Sequence, residues 1–286
     1  MIRRRLNGPT LALIAQITAT AAISLLAIRT AGAGAASVAV QAAAFLIGAM
    51  ALWAASRTGR PGRGPRLISA AAILVVAVLT LTTGVEMQGA HRWLALGPVL
   101  IHPASLLGAP LLWLVAQDAD DVWTAGVAAM TILTFGLGFD GAASLAFAVG
   151  TTGLLTAARG SWKTLAPLAA LSWLLALWSL TRSQALPRVP YVEDVVPTVW
   201  AVSPLLGVAA VIALILLSAP LLWIGWRARG IGAVGLAMAG FWIGLSAANL
   251  LGAYPTPVVG YGASPVIGWL VAIGLAMASA RRTRFQ

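Results

Sequence analysis

The sequence contains no cysteine and few charged residues of either sign. Only 9% of its 286 residues are charged, whereas a typical soluble domain has about 25%. Without cysteine the chain forms neither disulfide bonds nor thiolate metal sites. Its two histidines have no cluster of further ligands beside them, which argues against a structural zinc site. Charge this sparse does not cover the water-facing surface of a soluble protein of this size.

Hydrophobic residues make up 60% of the chain, in runs of the length that a membrane helix requires, about 20 residues with a range of about 17–25. The runs predict an all-α polytopic membrane protein with one transmembrane domain over 1–286. Pro103 and Pro110 lie in the fourth span, and little more than 138–140 separates the fifth from the sixth, which predicts a tight hairpin. The ten predicted spans are 9–29, 36–56, 67–83, 101–117, 122–138, 141–157, 165–182, 203–226, 231–252 and 264–280.

The first apolar run begins after a basic segment, as a secretory signal does. It is longer than the usual signal core of about 7–15 residues. We therefore expect a retained membrane helix there rather than a cleaved signal.

The net charge of +11 would suit a nucleic-acid binder, but the arginines lie at the ends of apolar runs, so no nucleic-acid partner is expected. With ten spans, 14 of the 18 basic residues fall on one side of the membrane. Positive charge marks the cytoplasmic side. This predicts a multi-pass protein of the bacterial inner membrane with both termini cytoplasmic. The four basic residues on the outer side are Arg29, Arg92, Arg182 and Arg188.

The acidic residues divide between the two sides. Glu86, Asp140, Glu193 and Asp194 lie in predicted outer segments. The other three acids share one short cytoplasmic turn, 118–121, where a solvated helix end is expected over a functional cluster. The basic cytoplasmic loop "RTGRPGRGPR" (57–66) is expected to set the orientation and to contact anionic lipid headgroups.

Four stretches, in order along the chain, resemble motifs of one membrane protein family. "GAHRWLALG" (89–97) followed by "HPAS" (102–105) is similar to G-A-x-R-W-[IL]-x-[LI]-G and Q-P-S-E; "GFDGAASLAFAVG" (138–150) to a Q-P-D-L-G-T-A segment; "LPRVPYVEDVV" (186–196) to L-P-x-x-x-T-D-F-I-F; and "NLLGAYPTPVVGYGASPVIGWL" (249–270) to an Asn followed by L-P-F-x-S-Y-G-G-S. The chain thus resembles the SEDS family (shape, elongation, division and sporulation), the relatives of FtsW, RodA and SpoVE, as a compact and divergent member.

The resemblance implies a ten-helix fold and a membrane glycosyltransferase that polymerises lipid II, a sugar carried on polyprenyl pyrophosphate, in peptidoglycan synthesis for cell shape, elongation or division. It also implies a single-pass class B penicillin-binding protein as partner. Two alternatives stay open, a catalytically degenerate scaffold that binds a cell-wall partner or lipid carrier, and a flippase of lipid-linked precursors.

Departures from the family motifs favour the scaffold. His102-Pro103-Ala104-Ser105 stands in place of Q-P-S-E, and Gly108 or Ala109 stands where the family has lysine. The loop 183–202 is several times shorter than its family counterpart. In register from Leu186, the family aspartate falls near Val192, so an acidic match at 193 or 194 needs a shift of one or two residues.

The expected site lies on the outer face. Asp194, or Glu193, is the candidate general base, since burial at the membrane surface raises a carboxyl pKa towards working pH. We expect Arg92 and Arg188 to contact pyrophosphate and a Mg²⁺ or Mn²⁺ ion to assist. The remaining predicted substrate-binding residues are His91, Trp93, Asp140, Tyr261 and Ser264.

Structural roles are open for the same residues. In this alternative the acidic pair is a pair of solvated loop residues, Arg92 and Trp93 lie at the headgroup interface, and Asp140 caps the sixth helix. The histidines are expected to be polar interface residues rather than ligands. The proline- and glycine-rich segment 253–264 is expected to be a re-entrant or tightly folded loop. Helix 231–252, with Gly235, Ala239 and Gly240, is the predicted lateral surface for a partner.

Overall fold

The computed structural model describes residues 8–87, 89–97, 99–158, 160–181, 188–227 and 232–282. These residues form a helical bundle with one small antiparallel sheet in the order β1-β2-β3. The elements, in chain order, are α1 (Gly8–Thr30), α2 (Ala35–Ala55), α3 (Arg63–Thr83), β1 (Val85–Met87), β2 (Ala90–Leu96), β3 (Val99–Ile101), α4 (Pro103–Ala116), α5 (Val122–Leu137), α6 (Gly141–Ala157), α7 (Trp162–Thr181), α8 (Val195–Val202), α9 (Pro204–Leu216), α10 (Ala219–Arg227), α11 (Gly232–Leu251) and α12 (Ala263–Arg282).

The prediction of an all-α polytopic membrane protein is confirmed, with the small sheet as an addition. Within the described ranges, seven helical segments are long and apolar enough to cross a membrane. They are α1, α2, α3, α7, the α9–α10 segment, α11 and α12, which match seven of the ten predicted spans. The other three, α4, α5 and α6, are shorter apolar helices of 14, 16 and 17 residues.

The fourth predicted span begins later than expected because its first residues belong to the sheet. Residues 99–101 pair with β2 as β3. His102 then caps α4, its side chain accepting a hydrogen bond from the Ser105 N–H, and Pro103 follows in the first turn, where its missing N–H costs nothing. The polar connection between the third and fourth spans is therefore a folded sheet rather than a loop.

The eighth predicted span is broken into α9 and α10 at Leu217 and Ser218. Pro220 has no N–H to donate to the carbonyl of Leu216, and that oxygen accepts a hydrogen bond from Gln16 Nε2 of α1 at 2.6 Å. Trp269 Nε1 of α12 donates to the carbonyl of Leu217 at 2.9 Å. Neighbouring helices thus satisfy the freed backbone, which makes a break at membrane depth tolerable.

The second half of the predicted loop 183–202 is also helical, because 195–202 form α8. Residues 182–187, which include Arg182 and the first part of the predicted loop, lie outside the described part of the chain.

The face of α11 that carries Gly235, Ala239 and Gly240 packs inside the bundle, so the prediction of a partner surface there is wrong. A Cβ atom at Gly240 would lie 2.7 Å from the carbonyl oxygen of Val149 in α6, and one at Gly235 would lie 2.8 Å from the Gly225 Cα in α10. Ala239 is fully buried. These small residues let α11 approach helices of its own chain.

The loops gather at two ends of the bundle. The sheet end carries the sheet and the segments 31–34, 138–140, 188–194 and 252–262, which bond to one another or to nearby helix ends. The arginine end carries the loop 56–62 and the turn 117–121, which are joined by a hydrogen bond from the Arg60 side chain to the carbonyl of Gln117. Which end faces the cytoplasm stays a prediction from the basic residues.

The turn 117–121 of the arginine end is not wholly solvated, contrary to expectation. Asp121 caps α5 and pairs with Arg66 at 2.9 Å, and both side chains are buried. The other Arg66 partner, Asp118 at 3.0 Å, is 46% exposed. The burial depends on Arg66, which lies in the first turn of α3 and just before the predicted span 67–83. The sequence of the turn itself does not show it.

Candidate functional site

A buried histidine and aspartate meet at the sheet end. His102 Nε2 lies 3.2 Å from Asp140 Oδ2, where the N-terminal ends of α4 and α6 come together. Asp140 caps α6 by accepting the Ala143 N–H at 3.0 Å, as a cap was expected to do. His102 Nδ1 accepts the Ser105 N–H at 3.2 Å, which leaves Nε2 to carry the proton that faces the carboxylate.

Ser264 and Trp93 complete the surroundings of His102. The Ser264 hydroxyl oxygen accepts the His102 backbone N–H at 2.9 Å, tying the start of α12 to the start of α4. The Trp93 ring stands edge-on to the imidazole, with the ring centroids 6.1 Å apart. His102 therefore holds three elements together, a role that the chain pattern did not indicate.

The guanidinium of Arg92 points into the protein. Arg92 is 3% exposed, and its Nε and Nη2 donate to the carbonyl of Phe139 at 3.2 and 3.0 Å. Phe139 has a left-handed φ of 54°, unfavourable for a bulky residue, so Arg92 stabilises the tight hairpin between α5 and α6. The guanidinium carbon also lies 4.7 Å from the Tyr254 ring centroid, a cation–π distance.

Gly141 is needed where α6 begins. A Cβ atom there would overlap the hydroxyl of Tyr254. The match of Gly141 to the family motif therefore has a steric reason in this chain.

The two candidate bases lie in the acidic turn, which we define as residues 188–194. Arg188 Nη1 contacts Asp194 Oδ1 at 2.9 Å, and the arginine side chain is half-exposed. Glu193 Oε2 accepts the Val189 N–H at 2.8 Å. Accordingly, the two neighbouring carboxylates have different partners, one a charged side chain and the other a backbone amide.

Asn249 connects the acidic turn to the Arg92 surroundings. Its Nδ2 donates to the Glu193 carbonyl at 2.9 Å and to the Tyr254 carbonyl at 2.6 Å. Since Tyr254 stacks on Arg92, one amide joins the two groups of predicted site residues. Both groups lie at the same end of the bundle, as expected from their prediction on the same side of the membrane.

The pKa values of two carboxyls reflect this convergence. Burial, with a smaller effect of the Asp194 charge, raises the pKa of Glu193 despite the opposing Val189 N–H and Arg92 charge. Burial would raise the pKa of Asp140 too, but the attraction and hydrogen bond of His102 and the charge of Arg92 outweigh it and lower that pKa.

The other predicted binding residues lie nearby. The His91 N–H donates to the Gly138 carbonyl at 2.9 Å and so also fastens the hairpin. Tyr261 stands edge-on to Tyr191 with ring centroids 6.0 Å apart. Residues 257–262 form the tightly folded loop that was expected, and Val258 and Val259 in it are fully buried.

Gly108, one of the two positions that match the family's lysine, is surrounded by aromatic packing. A Cβ atom on Gly108 would overlap the Phe241 ring and approach that of Phe147. Those two rings stand edge-on with centroids 5.3 Å apart. A long cationic side chain has no room at this position.

Sequence reasoning missed three residues that shape the site, Tyr254, Asn249 and Gln41. A signal was available for Gln41, because it is a lone amide in an apolar span and polar groups inside membranes are costly and functional. Asn249 was matched to the family motif without a role.

The acidic turn offers a divalent cation two adjacent carboxylates, Glu193 and Asp194. The described ranges bring no three His, Asp or Glu side chains together. Mg²⁺ is commonly bound through one or two carboxylates and substrate phosphates, and the adjacent carboxylates of the acidic turn fit that pattern.

Comparison with known proteins finds solved structures with a similar fold. No family model matches the chain, and no curated protein matches it in sequence. Solved structures do. The rod shape determining protein RodA of Thermus thermophilus is 22% identical with a TM-score of 0.69, covering 96% of this chain and 97% of its own. An aspartate-to-alanine variant of that protein gives 22% and 0.68, covering 96% and 98%.

A third similar chain comes from a structure described as a peptidoglycan synthase complex that coordinates polymerization and crosslinking. It is 19% identical with a TM-score of 0.64, and the match covers 95% of this chain and 98% of that one. The resemblance to the SEDS family is thereby confirmed at the level of fold: over nearly its entire length, this chain is a membrane protein with the fold of RodA.

Proposed function

We propose that this chain is a SEDS-like membrane glycosyltransferase that polymerises a sugar carried on polyprenyl pyrophosphate, with lipid II as the donor. The observation that carries the proposal is Glu193, a half-buried carboxyl with a raised pKa in a turn bonded to the Arg92 surroundings. The RodA fold around it supports the same conclusion.

Glu193 suits the role of general base better than Asp194. In the reaction, a carboxylate accepts the proton of the acceptor hydroxyl, and the oxygen of that hydroxyl bonds to the anomeric carbon of the donor sugar. The bond between this carbon and the pyrophosphate oxygen breaks, and the pyrophosphate leaves with the electrons of that bond. A raised pKa brings a carboxyl closer to working pH, which favours proton transfer. Asp194 is instead held in an ion pair, because its Oδ1 lies 2.9 Å from Arg188 Nη1.

Arg188 is the better placed of the two arginines to bind the leaving pyrophosphate. It is half-exposed, and a guanidinium binds phosphate through two parallel N–H donors. Arg92 would act without contacting the pyrophosphate, by holding the α5–α6 hairpin in place. A Mg²⁺ or Mn²⁺ ion at the acidic turn would neutralise charge on the pyrophosphate.

The assignment is tested by incubating the purified protein with labelled lipid II and Mg²⁺ or Mn²⁺ and then resolving the glycan products by size. Losing a general base costs about 10²–10⁴-fold in rate. We expect that loss from Glu193→Gln and a smaller one from Asp194→Asn. The matched control is Asp120→Asn, an exposed acid at the arginine end. A larger loss from Asp194→Asn would reverse the assignment within the pair.

The second candidate function, a scaffold that binds a cell-wall partner without catalysis, is favoured by the packing around Gly108. Aromatic rings surround this glycine, one of the two positions that match the family's lysine. Full synthesis by wild type would exclude this candidate.

We also propose a single-pass class B penicillin-binding protein as the partner, because a similar chain belongs to a peptidoglycan synthase complex. Purification from the native membrane in mild detergent should retain this partner. Recovery of the chain without it would contradict the proposal.

A further inference from the structure

A buried amide of α2 grips the folded loop of the sheet end. Gln41 is fully buried, and its Nε2 donates to the carbonyls of Val258 at 3.2 Å and Gly260 at 3.0 Å. Its Oε1 accepts the Gly262 N–H at 3.0 Å. Ser24 of α1 lies 3.1 Å from the same Nε2. We call these two side chains, Gln41 and Ser24, the amide clamp.

The loop needs such partners because its backbone is strained and buried. Val258 has a left-handed φ of 64°, which is costly for a β-branched residue and persists only where the surroundings enforce it. Its carbonyl accepts a second hydrogen bond from the Ser24 hydroxyl at 2.8 Å. Without the clamp, these buried carbonyls would lose their partners, and unsatisfied buried polar groups are destabilising.

The loop held by the amide clamp supports the acidic turn through hydrogen bonds. The Tyr261 N–H donates to the Tyr191 carbonyl at 2.8 Å, and the Thr256 N–H donates to the Val192 carbonyl at 2.9 Å. The Thr256 hydroxyl donates to the carbonyl of Glu193 at 3.1 Å. Three successive carbonyls of the acidic turn thus rest on the loop that the clamp holds.

We propose that Gln41, assisted by Ser24, is a positioning residue: it fixes the loop at 254–262 and through it sets the place of Glu193. The effect on rate rests on the proposed function, whereas the effect on the loop does not. Two helices that contribute no residue to the acidic turn would thereby control its geometry.

Because the chain lacks cysteine, a single introduced thiol can report on the loop. Val259→Cys places a thiol of similar size at a fully buried position. We expect Gln41→Leu to raise its rate of labelling by a thiol reagent about tenfold or more, since each lost buried hydrogen bond shifts an equilibrium roughly two- to tenfold. A Ser179→Cys reporter, buried in α7, should stay protected.

The matched control is Gln16→Leu, the same substitution in α1, where the amide bonds to the carbonyl of Leu216 and not to the loop. It should leave Val259→Cys protected. Protection of that thiol in Gln41→Leu, or equal exposure in both leucine variants, would overturn the inference. Exposure of Ser179→Cys together with it would also overturn it, by showing general unfolding.

Kinetics then separate positioning from stability. With lipid II as substrate, Gln41→Leu should lower kcat about tenfold or more while KM changes little, because the loop beneath Glu193 loses its buried hydrogen bonds. An unchanged kcat with an exposed Val259→Cys thiol would overturn the link to Glu193. If wild type makes no glycan while the labelling result holds, the proposed function fails and the clamp stands.

Discussion

Two aspartates that share one arginine should differ sharply in their contribution to stability. Arg66 pairs with Asp121 at 2.9 Å and with Asp118 at 3.0 Å, but the side chains of these aspartates are 3% and 46% exposed. Removing one member of a buried ion pair costs about 3–5 kcal/mol, because the other charge is left buried. Exposed pairs contribute about 0–1 kcal/mol.

Asp121→Asn should therefore lower the free energy of unfolding by an amount near the lower end of the range for a buried pair, about 3 kcal/mol. The loss is not larger because Asp118 still partly neutralises Arg66. Asparagine keeps an oxygen for the Trp123 N–H of the α5 cap, so the substitution removes the charge and the acceptor of Arg66 and Thr124 but leaves the cap. Asp118→Asn, the matched control, should cost less than about 1 kcal/mol. Thermal unfolding in detergent, followed by tryptophan fluorescence, measures both.

The pH dependence gives a second comparison. Burial would raise the pKa of Asp121, but hydrogen bonds from Thr124, Arg66 and Trp123 and the Arg66 charge lower it below its usual 3.8. A lowered folded pKa means that the stabilisation is present above about pH 4 and is lost as pH falls through the folded value. Wild type should lose its advantage over Asp121→Asn in that acid range. Equal destabilisation by the two asparagine variants at neutral pH would refute the burial argument.

Three further predictions concern packing, the hairpin and orientation. Gly108→Ala should cost about 1–3 kcal/mol by overpacking, and Phe241→Leu should restore part of it; a double variant no more stable than Gly108→Ala would be contrary to the packing shown. Arg92→Lys, which keeps the charge but cannot grip a carbonyl with two N–H groups, should lower the unfolding midpoint, and an unchanged midpoint would count against its structural role. In intact cells a membrane-impermeant thiol reagent should label Glu86→Cys and spare Gly62→Cys, and the reverse pattern would invert the orientation.

The apolar spans could be predicted because run length alone indicates a membrane helix. The break at Leu217 had one local signal, Pro220, but the partners that satisfy its backbone, Gln16 and Trp269, are distant in sequence. The inward face of α11 was also hidden, because Gly and Ala favour close helix contacts without indicating which neighbour makes them. Ala90, another outer-segment position, is the fully buried first residue of β2, so a thiol there would be protected, whereas Glu86 is exposed.

The composition of the site was predictable to a similar degree. Alternation of loops across the membrane put Arg92, Asp140 and the pair at 193–194 on one side, and they do converge. Side-chain direction was not predictable: Arg92 turns inward to Phe139 because the left-handed hairpin presents its carbonyl there. The pairing of His102 with Asp140 joins residues 38 positions apart, and no local pattern specifies it.

The central claim, glycan synthesis at the acidic turn, is tested most directly by one assay of wild type beside the double variant Glu193→Gln, Asp194→Asn. Labelled lipid II is incubated with each protein and with Mg²⁺ or Mn²⁺, alone and with the co-purified partner, and the glycan chains are resolved by length. The account predicts polymer from wild type and a rate at least about 10²-fold lower from the double variant. Equal polymer from both proteins, or none from wild type under every condition, would contradict it.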